Sequence, residues 1–500
     1  MRGSRVGAES LGEPMLSILV CHSYYLRLDR KQQERCKPYP PLATLQVAAM
    51  LRKAGHDVSF FDAMLADGID DYDRMLRNVQ PQVVLLYEDT FNFLSKMCLA
   101  EMRSAACRMI GTAHSAGIKV IAAGPDVTDA PDTYLKAGAD VALIGEGLSS
   151  LLELMLRLDS PVDTPGEELT DGLFGVATLR AGRVVRANGA RVLPVGQYDG
   201  FAAWDLVDME RYRSMWLSAH GYFSLNMAAS RGCSFRCAWC AKPTWGNYYL
   251  QRSAQNVAAE MLHLKRTFAP DHVWFADDIF GFKVEWVHDF AQATHSAGGT
   301  VPFTIQTRAD LVSERMARAL ESAGCREAWL GAESGSQRVL DAMNKGTTVE
   351  EILTARERLR SSGIRVGFFI QLGYMGEQLA DILSTRELLA KAQPDEIGVS
   401  VSYPLPGTKF YESVKAQLGS KTHWRESNDL EMMFEGTYTS DFYRTIRNLL
   451  HDQISLQRRD SQRRDAEHFR AKRSLARSWR ELLLREVQYR SAGGDAMAAR

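Results

Sequence analysis

Arg231-Gly232-Cys233-Ser234-Phe235-Arg236-Cys237-Ala238-Trp239-Cys240 carries three cysteines within eight residues, with gaps of three residues and then two. Three thiolates on one tight loop can hold three corners of a four-iron four-sulfur cube and leave the fourth iron open to a substrate or cofactor. A centre that only passes electrons closes that corner with a fourth cysteine. A structural zinc site takes four ligands, commonly in two separated pairs. His220, thirteen residues upstream of Cys233, is the nearest further Cys or His. The competing readings are buried thiols, a zinc knuckle completed from afar, or one disulfide with a spare thiol. Gly232 before the first cysteine and the aromatic Trp239 before the last favour the cluster.

Working outward, residues 225–229 read as a strand feeding this loop, and five more strand–helix units follow. The strands at 273–276, 303–307, 327–331, 366–371 and 397–401 end in polar or turn-forming groups. These are Asp277-Asp278, Arg308, Glu333 within 332–336, Gly376 within 372–377, and Pro406 within 404–408. Six such units predict a partial (β/α)6 barrel of the TIM type, in which catalytic groups gather at the carboxyl ends of the strands. The competing readings are a helix N-cap for the aspartates and a structural ion pair for Arg308.

Upstream, short apolar strands at 17–21, 57–62, 83–87, 119–123 and 140–144 alternate with helical segments, one opened by Pro40-Pro41. That alternation predicts an α/β, doubly wound (Rossmann-like) parallel sheet whose ligand sits beyond the carboxyl ends of the strands. Gly124-Pro125-Asp126-Val127 and Gly145-Glu146-Gly147 fall there, as ligand-binding turns or simply as helix caps and tight turns. Residues 175–185 read as a hairpin turning at Ala181-Gly182 inside a linker. Beyond residue 440, Ile446, Leu449, Leu450, Ile454, Leu475, Trp479 and Leu482 form apolar stripes on charged helices.

Five hundred residues call for two or three domains. Sixty basic and 61 acidic residues leave a net charge of −1, which argues against nucleic acid or an anionic membrane as partner. No apolar run reaches the roughly 18 residues that cross a bilayer. Residues 1–14 lack an apolar segment and read as a flexible leader, and irregularly spaced cysteines point to a reducing cytoplasm.

The C-x3-C-x2-C run with an aromatic before its last cysteine resembles the signature of the radical S-adenosylmethionine (SAM) superfamily. Gly331-Ala332-Glu333-Ser334-Gly335-Ser336-Gln337, Met343-Asn344-Lys345-Gly346 and Pro404-Leu405-Pro406-Gly407-Thr408 are similar to that family's fourth- and sixth-strand text. The likeness spans about residues 223–415. It departs at Gly373-Tyr374-Met375-Gly376-Glu377, where relatives carry Gly-x-Pro-Gly-Glu. The order of the N-terminal motifs resembles the cobalamin-binding domain fused to many such enzymes, over about residues 15–160. There Cys21-His22-Ser23-Tyr24-Tyr25 replaces the Asp-x-His-x-x-Gly of well-known carriers. His22 is then either a hydrogen-bonding loop histidine or a cobalt ligand.

The resemblance implies a 4Fe-4S cluster on Cys233, Cys237 and Cys240, with SAM on its open iron. Asp277 or Asp278 would accept from the SAM ammonium, Arg308 would pair with its carboxylate, and Glu333 would accept from ribose or amine. Backbone around Gly376 and Pro406 would frame adenine. Cobalamin would lie against Gly124, Pro125, Val127, Gly145, Glu146 and Gly147. The expected layout is a leader (1–14), a cobalamin-binding domain (15–160), a linker with hairpin (161–222), the barrel (223–420), a helical cap (421–490) and a disordered tail (491–500). The implied activity is reductive cleavage of SAM and methylation of an unactivated carbon or phosphorus centre in a small molecule, with an electron donor such as flavodoxin or ferredoxin. A cyclase or oxidase without methyl transfer and a non-catalytic cobalamin or redox sensor are the alternatives.

Overall fold

The computed structural model describes residues 16–160, 169–187, 189, 200–240, 248–460 and 466–491. The expected leader, and the tail beyond residue 491, lie outside the described residues. In the first domain, β1 (Ser17–Cys21), β2 (Asp57–Phe61), β3 (Val83–Tyr87), β4 (Lys119–Ala123) and β5 (Val141–Leu143) form one parallel sheet. The Val-Ile-Leu-rich β1 and β3 are covered on both faces, and Ile18, Leu19, Val20, Leu85 and Leu86 have no exposed surface. The strand order β2-β1-β3-β4-β5 reverses direction between β1 and β3, which fixes the ligand crevice at their carboxyl ends.

β6 (Val176–Arg180) and β7 (Arg183–Arg186) are the expected hairpin, with Ala181 and Gly182 both at positive φ (46° and 75°). They are not a free linker. β6 pairs antiparallel with β5, so the hairpin extends the sheet to seven strands.

The second sheet runs β15-β14-β13-β12-β11-β8, all parallel, and does not close on itself. Its strands are β8 (Ser224–Met227), β11 (His272–Phe275), β12 (Phe303–Thr307), β13 (Cys325–Glu333), β14 (Arg365–Leu372) and β15 (Glu396–Val401). β9 (Ser230–Gly232) and β10 (Tyr249–Gln251) pair antiparallel beside it. Burial alternates along β11 and β15: Val273, Phe275, Ile397, Val399 and Val401 are buried. Their neighbours His272, Trp274, Glu396, Gly398 and Ser400 are only half-buried. The face carrying the half-buried residues, the lumen face of this open half-barrel, is therefore only partly covered, unlike the filled core of a closed barrel. Trp329 stacks on Phe369 at 4.8 Å, and any Cβ on Gly367 would strike the indole.

One apolar core joins the domains, running from Leu42, Leu45, Phe60 and Met64 through Trp204 and Trp216 to the barrel. Past the barrel, residues 421–431 reach back to the first domain. The Ala100 amide donates to the Trp424 carbonyl at 2.9 Å, and Ser427 Oγ donates to Asp29 at 2.7 Å. Helices Ser440–Asp460 and Ala466–Leu484 then pack together against the outside of the barrel, where Arg386 lies over Trp479.

Candidate active site

The cysteine loop leaves β9 at Gly232, which turns at φ 71°. Cys233 is fully buried, Cys237 and Cys240 are half-buried, and none forms a disulfide. A strap at 343–345 anchors the loop. The Ala238 amide donates to the Met343 carbonyl at 2.8 Å, and Asn344 Nδ2 donates to the Arg236 carbonyl at 2.7 Å. On the other side the Phe410 amide donates to the Ala238 carbonyl at 2.9 Å. Trp239 packs against an apolar group that includes Tyr374 and Phe410. Three unbridged thiols on one doubly anchored loop fit three irons of a cube, each sulfur taking a separate iron. Among the described residues no three His, Cys, Asp or Glu side chains converge on a single ion.

The two aspartates after β11 diverge. Asp277 is fully buried and braces the start of the cysteine loop, accepting the Ala229 amide at 3.0 Å and the Ser230 hydroxyl. Burial pushes its carboxyl up to about 7. Asp278 instead pairs with Lys96 of the first domain at 2.6 Å. Arg308 bonds Asp310, the Lys345 carbonyl, Thr347 and Cys237 Sγ. Glu333 is the last residue of β13, at φ 60°, where the register with β14 shifts. It accepts from Lys345 Nζ at 2.8 Å, with both side chains at most 7% exposed.

The turn after β14 closes without the family's proline. The Gly373 amide donates to Glu377 Oε2 at 2.6 Å, and Gly376 sits at φ 78° with its carbonyl accepting from Arg338. Pro406 is half-buried in the turn after β15, which the Thr408 amide closes onto the Leu405 carbonyl at 3.2 Å.

In the first domain Gly124 sits at φ 143°, and a Cβ there would meet Glu88 Cβ at 2.6 Å. Pro125 starts the short helix Pro125–Asp129, and Val127 points into the core rather than the crevice. The Gly145 amide donates to Thr128 Oγ1 at 2.9 Å, and Gly147 lies at φ 64° against Leu143. His22 is 1% exposed. Its Nε2 meets Asp62 at 3.2 Å, and Asp62 in turn accepts from Tyr212 at 2.8 Å. His22 Nδ1 and Thr90 Oγ1 are buried without a partner beyond β1 and β3, at the switch point of the sheet. Buried polar atoms are seldom left unpaired. These orphans, at the switch point of the sheet, fit a polar-rimmed cofactor over that crevice.

Residues 227–389 match the model of the radical SAM superfamily, and residues 36–155 match that of the B12 binding domain. The chain belongs to the B12-binding radical SAM proteins. An uncharacterized methyltransferase of Pyrococcus horikoshii is 24% identical over 78% of this chain and 82% of its own. An anaerobic magnesium-protoporphyrin IX monomethyl ester cyclase of Cereibacter sphaeroides is 25% identical over 76% of this chain and 61% of its own. The radical SAM methyltransferase TsrM of Kitasatospora setae, solved with cobalamin and a [4Fe-4S] cluster, superposes with a TM-score of 0.67. That match has 17% identity and covers 80% of this chain and 74% of TsrM. The cofactors of this radical SAM enzyme are accordingly a 4Fe-4S cluster, SAM and cobalamin.

Sequence reasoning missed the ties between the two cofactor edges. Arg231, on β9 beside the cluster loop, forms an ion pair with Glu146 of the Gly145-Glu146-Gly147 turn. The two side chains are 8% and 7% exposed. Arg231 also bonds Gln46 and lies over Phe91 at 5.2 Å. Lys96–Asp278 is a second tie. Arg231 and Lys345 lie within the cysteine-loop and fourth-strand motifs, but neither has a role that local sequence reveals. Their partners lie 85 and 12 residues away.

Proposed function

We propose that this enzyme methylates an unactivated carbon or phosphorus centre of a small molecule held in the barrel lumen. The observation that supports this reading is a three-cysteine loop and a B12-binding domain joined in one core, as in the methyltransferase relatives, with the buried Arg231–Glu146 pair linking the two edges. When bound, the cofactors supply reductive cleavage of one SAM to a 5′-deoxyadenosyl radical and a methyl group taken from a second. Cys233, Cys237 and Cys240 hold the cluster, and Glu333, oriented by Lys345, meets the polar groups of SAM. Trp274, Trp329 and Phe369 wall the lumen, shield the radical site from water and orient the substrate.

A low-potential carrier such as flavodoxin or ferredoxin delivers the electron, in a reducing compartment such as the cytoplasm. No described helix is long and apolar enough to cross a membrane. The test is stoichiometric. Reduced, reconstituted enzyme fed methyl-labelled SAM and a metabolite extract yields a product heavier by one labelled methyl, with one 5′-deoxyadenosine and one S-adenosylhomocysteine per product. Methylation without 5′-deoxyadenosine defeats the reading. The cyclase relative favours a second reading, for which the product carries no new methyl group.

A further inference from the structure

We propose that Arg308 tunes the reduction potential of the iron–sulfur centre by donating a hydrogen bond to the Cys237 thiolate. The inference rests on the reading of Cys237 as a cluster ligand. The guanidinium is fixed on every side. Nε and Nη2 donate to the Asp310 carboxylate at 2.9 and 3.0 Å. Nη2 also reaches the Lys345 carbonyl at 2.7 Å and Thr347 Oγ1 at 3.0 Å. The flat face lies over Phe235 of the cysteine loop, with Cζ 3.7 Å from the ring centroid. Nη1 is aimed at Cys237 Sγ, 3.7 Å away. Arg308 is 4% exposed, so bulk water does not average this contact out. With Nε and Nη2 engaged in this way and Nη1 turned toward Cys237 Sγ, the geometry assigns Arg308 to the cluster ligand.

Reduction brings one electron from an external carrier onto the centre, with no bond broken and no proton required. A donor and a positive charge at one ligand sulfur stabilise the more negative, reduced form, and hydrogen bonds to sulfur and local charge are the protein's levers on such potentials. Asp310 works in the opposite direction, since its carboxylate offsets the guanidinium charge. The Arg308–Asp310 pair therefore sets the midpoint through two opposed charges. Removing one or the other moves the potential in opposite directions, which a purely structural role does not do.

The test is an EPR-monitored redox titration of the full-length reconstituted protein without SAM, with titanium(III) citrate as reductant. Arg308→Met makes the midpoint more negative and Asp310→Asn makes it less negative. Each shift is about tenfold in the reduced-to-oxidised ratio, or about 59 mV for one electron. Iron and sulfide contents equal to wild type certify that the same centre is being titrated. Where Arg308→Met loses the centre, Asp310→Asn alone decides. An Asp310→Asn midpoint that stays put or falls, at full iron content, overturns the inference. Wild-type protein that loads no four-iron centre overturns the ligand assignment beneath it.

Discussion

A carboxyl group sealed inside the turn after β14 sets part of the fold's response to pH. Glu377 has no exposed surface, and burial pushes it up to about 8. Unfolded, it titrates at about 4.3. The folded state therefore binds the proton more tightly, and stability falls as pH rises from about 4 to about 8. Glu377→Gln keeps an acceptor for the Gly373 amide and removes this dependence. Urea midpoints between about pH 5 and pH 8 fall less in the variant than in wild type. Lys345 shows the converse case of a buried charge with one partner. Lys345→Met strands Glu333 and costs about 3–5 kcal/mol in urea unfolding, and adding Glu333→Gln recovers much of it. The residue types at Cys233, Cys237 and Cys240 were legible because their chemistry is local to one loop. The roles of Asp277 and Arg308 were less legible, because each side chain answers to partners folded against it: Ala229 and Ser230 in one case, Asp310 and Lys345 in the other.

Short apolar runs ending in glycine turns or polar groups announced the parallel strands of both sheets, and the strands stand within a few residues of those readings. Two of the elements that differ have a clear cause. The 176–186 hairpin looked like linker because only β5, some thirty residues earlier, supplies its third partner. β13 continues through Glu333 because a register shift there accommodates a non-glycine residue at positive φ, which no propensity foretells. The strap at 343–345 was visible as text but not as an anchor. Asn344 sits at φ 50° and donates to the Arg236 carbonyl. Asn344→Gly keeps the turn and loses that bond, so the variant melts close to wild type yet releases iron faster to a chelator, as read by iron-release kinetics. Equal release rates contradict an anchoring role for the strap.

At the scale of the molecule, the ties between domains decide whether two cofactor edges act as one site. Arg231→Met takes the guanidinium away from the buried Glu146 carboxylate, which costs up to about 3–5 kcal/mol in urea unfolding. The same change weakens cobalamin binding in an absorbance titration, and Arg231→Met with Glu146→Gln restores most of both. An unaltered titration in the single variant shows that the pair does not position the crevice. The domain order was legible because each half carries its own motifs. The seam was not, since ion pairs between residues 85 and 182 positions apart leave no local pattern.

The apolar continuity from Leu42 and Phe60 into the barrel also bears on dissection of the protein. Either half expressed alone would display to solvent a sticky flank that the intact chain conceals. Chimeras that trade cobalamin modules between relatives must therefore transplant the matching flank as well, or they will precipitate before any chemistry can be assayed.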